Sequence, residues 1–204
     1  MKIICIGRNY AEHAKELGND LPKEPMFFLK PDSAILPQKH PLFIPEFTND
    51  LHFEVELVYR INRLGKHIEA KHAHRYYDAV GIGIDFTARD IQEECKKKGH
   101  PWEKAKGFDG SAAISKDFVM MDELQNASAI AFQLKKNAEI MQSSDSSEMI
   151  FNIDKIIEHV SKYMTIKIGD LIYTGTPAGV GPVREGDVLE CFLEGKKMLK
   201  VEIR

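Results

Sequence analysis

Pro22, Pro25, Pro31, Pro37, Pro41 and Pro45 crowd one stretch of the chain and forbid any long regular element there. A proline locks its own φ and offers no backbone N–H, so a strand between two of them must be short or lie at an edge. Apolar residues fill the gaps, and residues 26–29, 34–36 and 42–44 are each expected to form a short strand. This is the pattern of a β-rich region with many turns, because a disordered segment would lack the apolar filling.

The remaining segments agree with a β-rich chain. Residues 2–6 read as a strand, and residues 10–17 as a short helix stopped by Gly18 and Asn19. Residues 53–61 form the clearest strand, with strict alternation at its start. Residues 79–85 form another, where Gly81 and Gly83 let backbone or ligand approach closely. Thr87 is placed to cap a helix, with Asp90 in the capping-box position. That helix is expected to end at Lys96, Lys97, Lys98 and Gly99, with Pro101 beyond. Residues 129–143 read as a hairpin turning near Asn137, and Ser143 to Ser147 as a loop. A helix follows Asn152, with Ile153, Ile156, Ile157 and Val160 on one face. Residues 187–193 and 197–203 pair around Glu194 and Gly195. The expected fold class is mainly β with a few helices (α+β), one domain over residues 1–204.

Composition excludes several function classes. A net charge of -3 supplies no field for nucleic acid, and the lysine triplet reads as the exposed end of a helix. No apolar run approaches a membrane span, and the first one is broken at Arg8 and Asn9, too soon for a signal peptide. Cys5, Cys95 and Cys191 are odd in number and far apart, which predicts a reducing, cytoplasmic setting without disulfides or a zinc cluster.

Glu54 and Glu56 are two apart on a strand, so both side chains leave one face. A bare E-x-E is more often a solvated strand face. Asp85 shifts that balance, since it ends a second, buried-looking strand where a lone carboxylate needs a partner. Three carboxylates form a hard oxygen donor set suited to Mg²⁺ or Mn²⁺, with Ca²⁺ as a third candidate. His52 shares their face and reads as a supporting or surface residue, while His67, His72 and His74 read as solvated.

Six stretches in order then carry a resemblance: Gly7 to His13 (GRNYAEH), Phe28 to Pro31 (FLKP), His52 to Leu57 (HFEVEL), Gly83 to Gln92 (GIDFTARDIQ), Trp102 to Asp109 (WEKAKGFD) and Tyr173 to Val183 (YTGTPAGVGPV). Together they resemble the fumarylacetoacetate hydrolase family, in its acylpyruvate hydrolase and oxaloacetate decarboxylase branch. The resemblance implies a mixed β-sandwich roll or barrel, usually a homodimer, with residues 8–20 as a lid. It implies metal ligands at Glu54, Glu56 and Asp85, and catalytic residues at His13, Glu16 and Lys106. Arg89, Gln92, Lys30 and Thr176 are the substrate contacts it implies, with Gly179 and Gly181 serving turn geometry. His13 and Glu16 are three apart on a helix and can touch, which fixes the imidazole tautomer and raises its basicity. The activity implied is metal-dependent C–C cleavage of a small 2-oxo acid, by acylpyruvate hydrolysis or oxaloacetate decarboxylation. Isomerisation or hydration of a dienoic 2-oxo acid, or binding without turnover, are the alternatives. Residues 116–150 match the family only in outline.

Overall fold

A computed structural model describes residues 1–204 apart from Leu17 and Asn19. The strands run β1 (Ile3–Gly7), β2 (Met26–Lys30), β3 (Leu51–Phe53), β4 (Val55–Ile61), β5 (Tyr77–Asp85), β6 (Thr87–Ala88), β7 (Ala112–Ile114), β8 (Val119–Met120), β9 (Ala131–Lys136), β10 (Glu139–Asp145), β11 (Leu171–Tyr173), β12 (Gly181–Pro182), β13 (Val188–Leu193) and β14 (Lys196–Glu202). The helices are α1 (Ala11–Glu16), α2 (Ala70–Ala73), α3 (Arg89–Lys98), α4 (Glu103–Lys106) and α5 (Ile153–Tyr163). The fold is mainly β with few helices, as the sequence implies. The expected end of the first helix at Leu17, and its stop at Asn19, lie outside the described residues.

The largest sheet has the order β2-β1-β11-β4-β5-β7, with β8 also paired to β5. Its β1–β11 pair is parallel and the others are antiparallel, so the sheet is mixed. A second sheet, β10-β9-β13-β14, packs across it, β13 and β14 against β5 and β9 against β4. A small third sheet, β12-β3-β6, extends one end. The main core lies between the two large sheets, filled by Leu57, Ile82, Ile84, Leu134, Leu189 and Val201, among others. Helix α5 closes it with Ile153, Ile156, Ile157 and Val160, all buried as their spacing predicts, and Asn152 caps it by accepting from Lys155 N–H. The β9–β10 hairpin turns at Asn137 and Ala138, both left-handed. No described helix is long and apolar enough to cross a membrane.

Four local expectations are corrected. Residues 34–36 and 42–44 make no strands: Asp32–Ala34 is a 3-10 turn, and Ile35 and Leu42 make only single bridges, to Ala112 and Ile203. The prolines on either side leave no run of N–H groups for a ladder. Residues 53–61 are not one strand, because the chain changes sheets at Glu54, from β3 to β4. Ser143 and Ser144 are not loop but lie in β10, where pairing to β9 sets the conformation and overrides the polar composition. Thr87 does not cap α3: Ala88 occupies that position without a side-chain bond, and Asp90 accepts from Thr48 and Asn49 instead.

Cys5 and Cys191 are fully buried, and burial pushes both thiols well above their ordinary value. Since only the thiolate reacts, native protein should leave both unalkylated by iodoacetamide at mild alkaline pH, and denatured protein should not. Mass spectrometry of the quenched reaction checks this.

Candidate metal centre

The sheet change at Glu54 builds the site. Glu54 leaves the end of β3, Glu56 follows in β4, and the β4–β5 ladder pairs Glu56 with Gly83 while Asp85 N–H donates to Glu54 C=O at 2.8 Å. All three carboxylates are buried, and one oxygen of each lies within 4.8 Å of the others. Gly83 lets the sheet close behind them: a Cβ there would sit 2.6 Å from the Tyr173 ring and 2.7 Å from Ala113 C=O.

Three buried cations face these acids. Lys106 Nζ, from the end of α4, lies 2.8 Å from both Glu54 Oε2 and Asp85 Oδ2 and donates to Thr87 Oγ1 at 2.6 Å. Arg89, at the start of α3, donates to Glu54 Oε1 at 2.5 Å and to Gln92 Oε1 at 2.7 Å. Lys30 Nζ lies 2.7 Å from Asp85 Oδ1 and donates to the carbonyls of Phe86, Ser111 and Lys106. Burial would raise Glu54, but Lys106 and Arg89 outweigh it and hold the carboxyl well below the usual carboxylate range. Burial would lower Lys106, yet Asp85 and Glu54 hold it above its ordinary value. Glu56 differs. Burial, then Asp85 and Glu54, push it well above the carboxylate range, and its bonded partner is the Gly175 N–H at 2.7 Å.

A divalent cation fits this donor set. Asp85 Oδ1 is buried with no donor aligned on it, and Glu56 lacks a cation of its own among the described residues. Three carboxyl groups converging with one oxygen each, one of them without a cation partner, are a hard donor set that a divalent cation would stabilise.

The cleft above the carboxylates is lined by His13, Arg89, Gln92, Lys106 and Thr176 as well as the three acids. Helix α1 brings in His13, whose Nδ1 lies 3.0 Å from Glu16 Oε2. Glu16 in turn accepts from Gly179 N–H at 3.2 Å and lies outside the cleft. Lys30, a substrate contact by the resemblance, sits 1% exposed behind Asp85 as its counter-ion and does not line the cleft. Gly179 does serve geometry, with φ +95°, whereas Gly181 is no turn residue and pairs with Phe53 in β12.

Several lining residues escape sequence reasoning. Arg8 lines the cleft with φ 60°, a strained value for a residue with a side chain, and Lys96, read as a plain helix end, reaches its rim. The one available signal for Arg8 is its place inside the first motif. Thr87, read as a cap, receives the Lys106 ammonium instead.

Gly179→Ala should misplace Glu16. A Cβ there would lie 2.2 Å from Met141 C=O, and φ +95° is closed to alanine. The expected cost is about 1–3 kcal/mol or more, read as a lower Tm, together with weaker catalysis through His13.

Comparison with known proteins follows from this geometry. The family model described as fumarylacetoacetate (FAA) hydrolase C-terminal matches residues 2–204. The chain is 42% identical over 202 residues to the mitochondrial oxaloacetate tautomerase FAHD1 of Mus musculus, covering 99% of this chain and 91% of that one. It is 42% identical over 195 residues to the mitochondrial oxaloacetate decarboxylase of Dictyostelium discoideum, covering 95% and 89%. Among solved structures, fumarylpyruvate hydrolase from Pseudomonas aeruginosa in complex with Mn²⁺ and pyruvate superimposes with a TM-score of 0.93 at 33% identity, covering 100% and 89%.

Proposed function

The chain belongs to the fumarylacetoacetate hydrolase family, a family of enzymes, and from that premise we propose that it cleaves a C–C bond in small 2-oxo acids using a divalent cation, Mg²⁺ or Mn²⁺, on Glu54, Glu56 and Asp85. The observation that carries this reading is the set of three buried carboxylates, with ligand atoms within 4.8 Å, at the floor of the cleft that holds His13 and Lys106. Acylpyruvate hydrolysis and oxaloacetate decarboxylation are two outcomes of such a site. The relatives' names support both.

When bound, the cation supplies Lewis-acid polarisation of the substrate's 2-oxo group. The protein's own groups do the rest. Glu16 on Nδ1 keeps the proton there, so His13 presents Nε2 as the base. That nitrogen takes a proton from a water aimed at the distal carbonyl; the C–C bond then breaks to give a carboxylic acid and pyruvate enolate, and the proton returns to the enolate carbon to complete pyruvate. The Lys106 ammonium faces the charge that develops. Thr176 holds the carboxylate, and Arg89 with Gln92 holds the distal group. A second reading is tautomerisation of oxaloacetate, supported by the mouse relative's name; there His13 moves a proton and no water is consumed.

We extend the proposal to residues 8–20 as a lid, supported by the short α1 helix and its tie to Gly179 through Glu16. A homodimer is proposed from the family, and light scattering of a monomer would overturn it. The small 2-oxo acid is the one partner proposed, with neither nucleic acid nor membrane. We propose a reducing, cytoplasmic setting, whereas the mouse and Dictyostelium discoideum relatives are mitochondrial proteins.

The test is pyruvate release from acetylpyruvate and from oxaloacetate, with metal and with chelator. Both should turn over only with metal. His13→Ala should lower acetylpyruvate hydrolysis by about 10²–10⁴-fold while oxaloacetate decarboxylation falls far less. No turnover of either substrate with any divalent metal would sink the proposal.

A further inference from the structure

We propose that Gln142 is a positioning residue that locks the Thr176 hydroxyl as a hydrogen-bond donor into the cleft; this rests on the cleft being a 2-oxo acid site. Gln142 comes from β10, in the sheet opposite the carboxylates, and is 1% exposed. The β9–β10 register shifts between Ile140 and Gln142, and this irregularity brings the side chain inward. Its amide makes three contacts: Oε1 accepts from Val55 N–H at 3.0 Å, while Nε2 donates to Thr176 Oγ1 and to Pro177 C=O, both at 2.8 Å.

The backbone decides which way the amide points. Val55 N–H can only donate and Pro177 C=O can only accept, so oxygen must face the first and nitrogen the second. Thr176 Oγ1 then has to accept from Gln142. Its own hydrogen is left over, and the hydroxyl has no acceptor among the described residues. Thr176 lines the cleft beside the three acids, so that hydrogen serves an anionic ligand group.

Gln142 also sets where this donor stands. Val55 lies between Glu54 and Glu56, and Gly175 N–H donates to Glu56 at 2.7 Å. The ring of bonds Val55–Gln142–Thr176, closed through Gly175 and Glu56, therefore fixes the carboxylate donor relative to the cation ligands.

The test uses Mn²⁺-loaded protein, with oxalate as an unreactive planar dicarboxylate. Calorimetry gives its Kd, and kinetics gives KM and kcat for oxaloacetate. Thr176→Val should weaken oxalate binding by about 10–100-fold, the worth of a bond to a charged group. Thr176→Ser should restore most of it. Gln142→Glu keeps an acceptor for Val55 but draws the Thr176 hydrogen to itself, so oxalate affinity should fall similarly and KM should rise more than kcat drops. In a Thr176→Val background, Gln142→Glu should add less than about twofold, since it acts through a hydroxyl that is gone. The proposal is overturned if Gln142→Glu lowers Tm and leaves the oxalate Kd unchanged, or if the two losses multiply. Should Gln142→Glu not fold, Thr176→Val decides alone: an unchanged Kd overturns the proposal, and a loss restored by Thr176→Ser supports it. Wild-type protein that binds no oxalate and turns over neither 2-oxo acid would instead overturn the functional reading, and this inference with it.

Discussion

Glu56→Gln is expected to abolish metal-dependent turnover of both 2-oxo acids while leaving the metal-free fold as stable as wild type or more so. The two halves have one cause. Glu56 is buried, sits against Asp85 and Glu54, and has no cation of its own among the described residues, so its ionised form is disfavoured without metal. Glutamine is neutral, has the same shape, and can still accept from Gly175 N–H. It loses the anionic ligand, and with it several kcal/mol of charge stabilisation, about 10³-fold or more in rate. The pH dependence has a definite sign. The folded protein holds the Glu56 proton more tightly than the unfolded chain, so this group's stabilising contribution is full below its unfolded value near 4.5 and is lost as pH rises through the raised folded value. Glu56→Gln should flatten that part of the stability–pH curve in chelator. It should also lose most of the Tm increase that Mn²⁺ gives the wild type. Calorimetric scans with and without metal check both, and a large destabilisation in chelator would show that Glu56 is ionised and paired.

Lys106→Met should behave in the opposite way. Its ammonium is 3% exposed and neutralises Glu54 and Asp85 together. Removing it leaves Glu54 with Arg89 alone and Asp85 with Lys30 alone, and breaking these buried pairs costs about 3–5 kcal/mol. Added Mn²⁺ should restore part of that stability, because a cation on the same oxygens replaces the missing charge. Turnover should not return, since the metal does not replace the ammonium facing the substrate. Unfolding in chelator and in saturating Mn²⁺ measures this. Equal destabilisation in both would mean that the ion does not share those oxygens.

The two substitutions divide the site as reading the sequence divides it. Alternation around Val55 and Leu57 places Glu54 and Glu56 on one side of the chain, and the glycines before Asp85 mark a close approach of backbone, all local properties. The α5 face, the Asn137 turn and the C-terminal hairpin are local in the same sense, and the structure has them where the sequence puts them. His13 and Glu16 are likewise one helical step apart.

Charge burial is not local. Lys106 looks like one more surface lysine beside Glu103 and Lys104, and its partners stand 52 and 21 residues away. Lys30 meets Asp85 only because β2 lies alongside β1 in the sheet that holds β5, and Gln142 meets Val55 across 87 residues and from the opposite sheet. What the sequence determined by itself is which residues alternate and turn, because those follow from the geometry of a few neighbouring peptides. Which charges are buried, which cation answers which acid and which amide aims the Thr176 hydroxyl were decided by the tertiary structure alone, because desolvation and pairing depend on groups that only folding brings together.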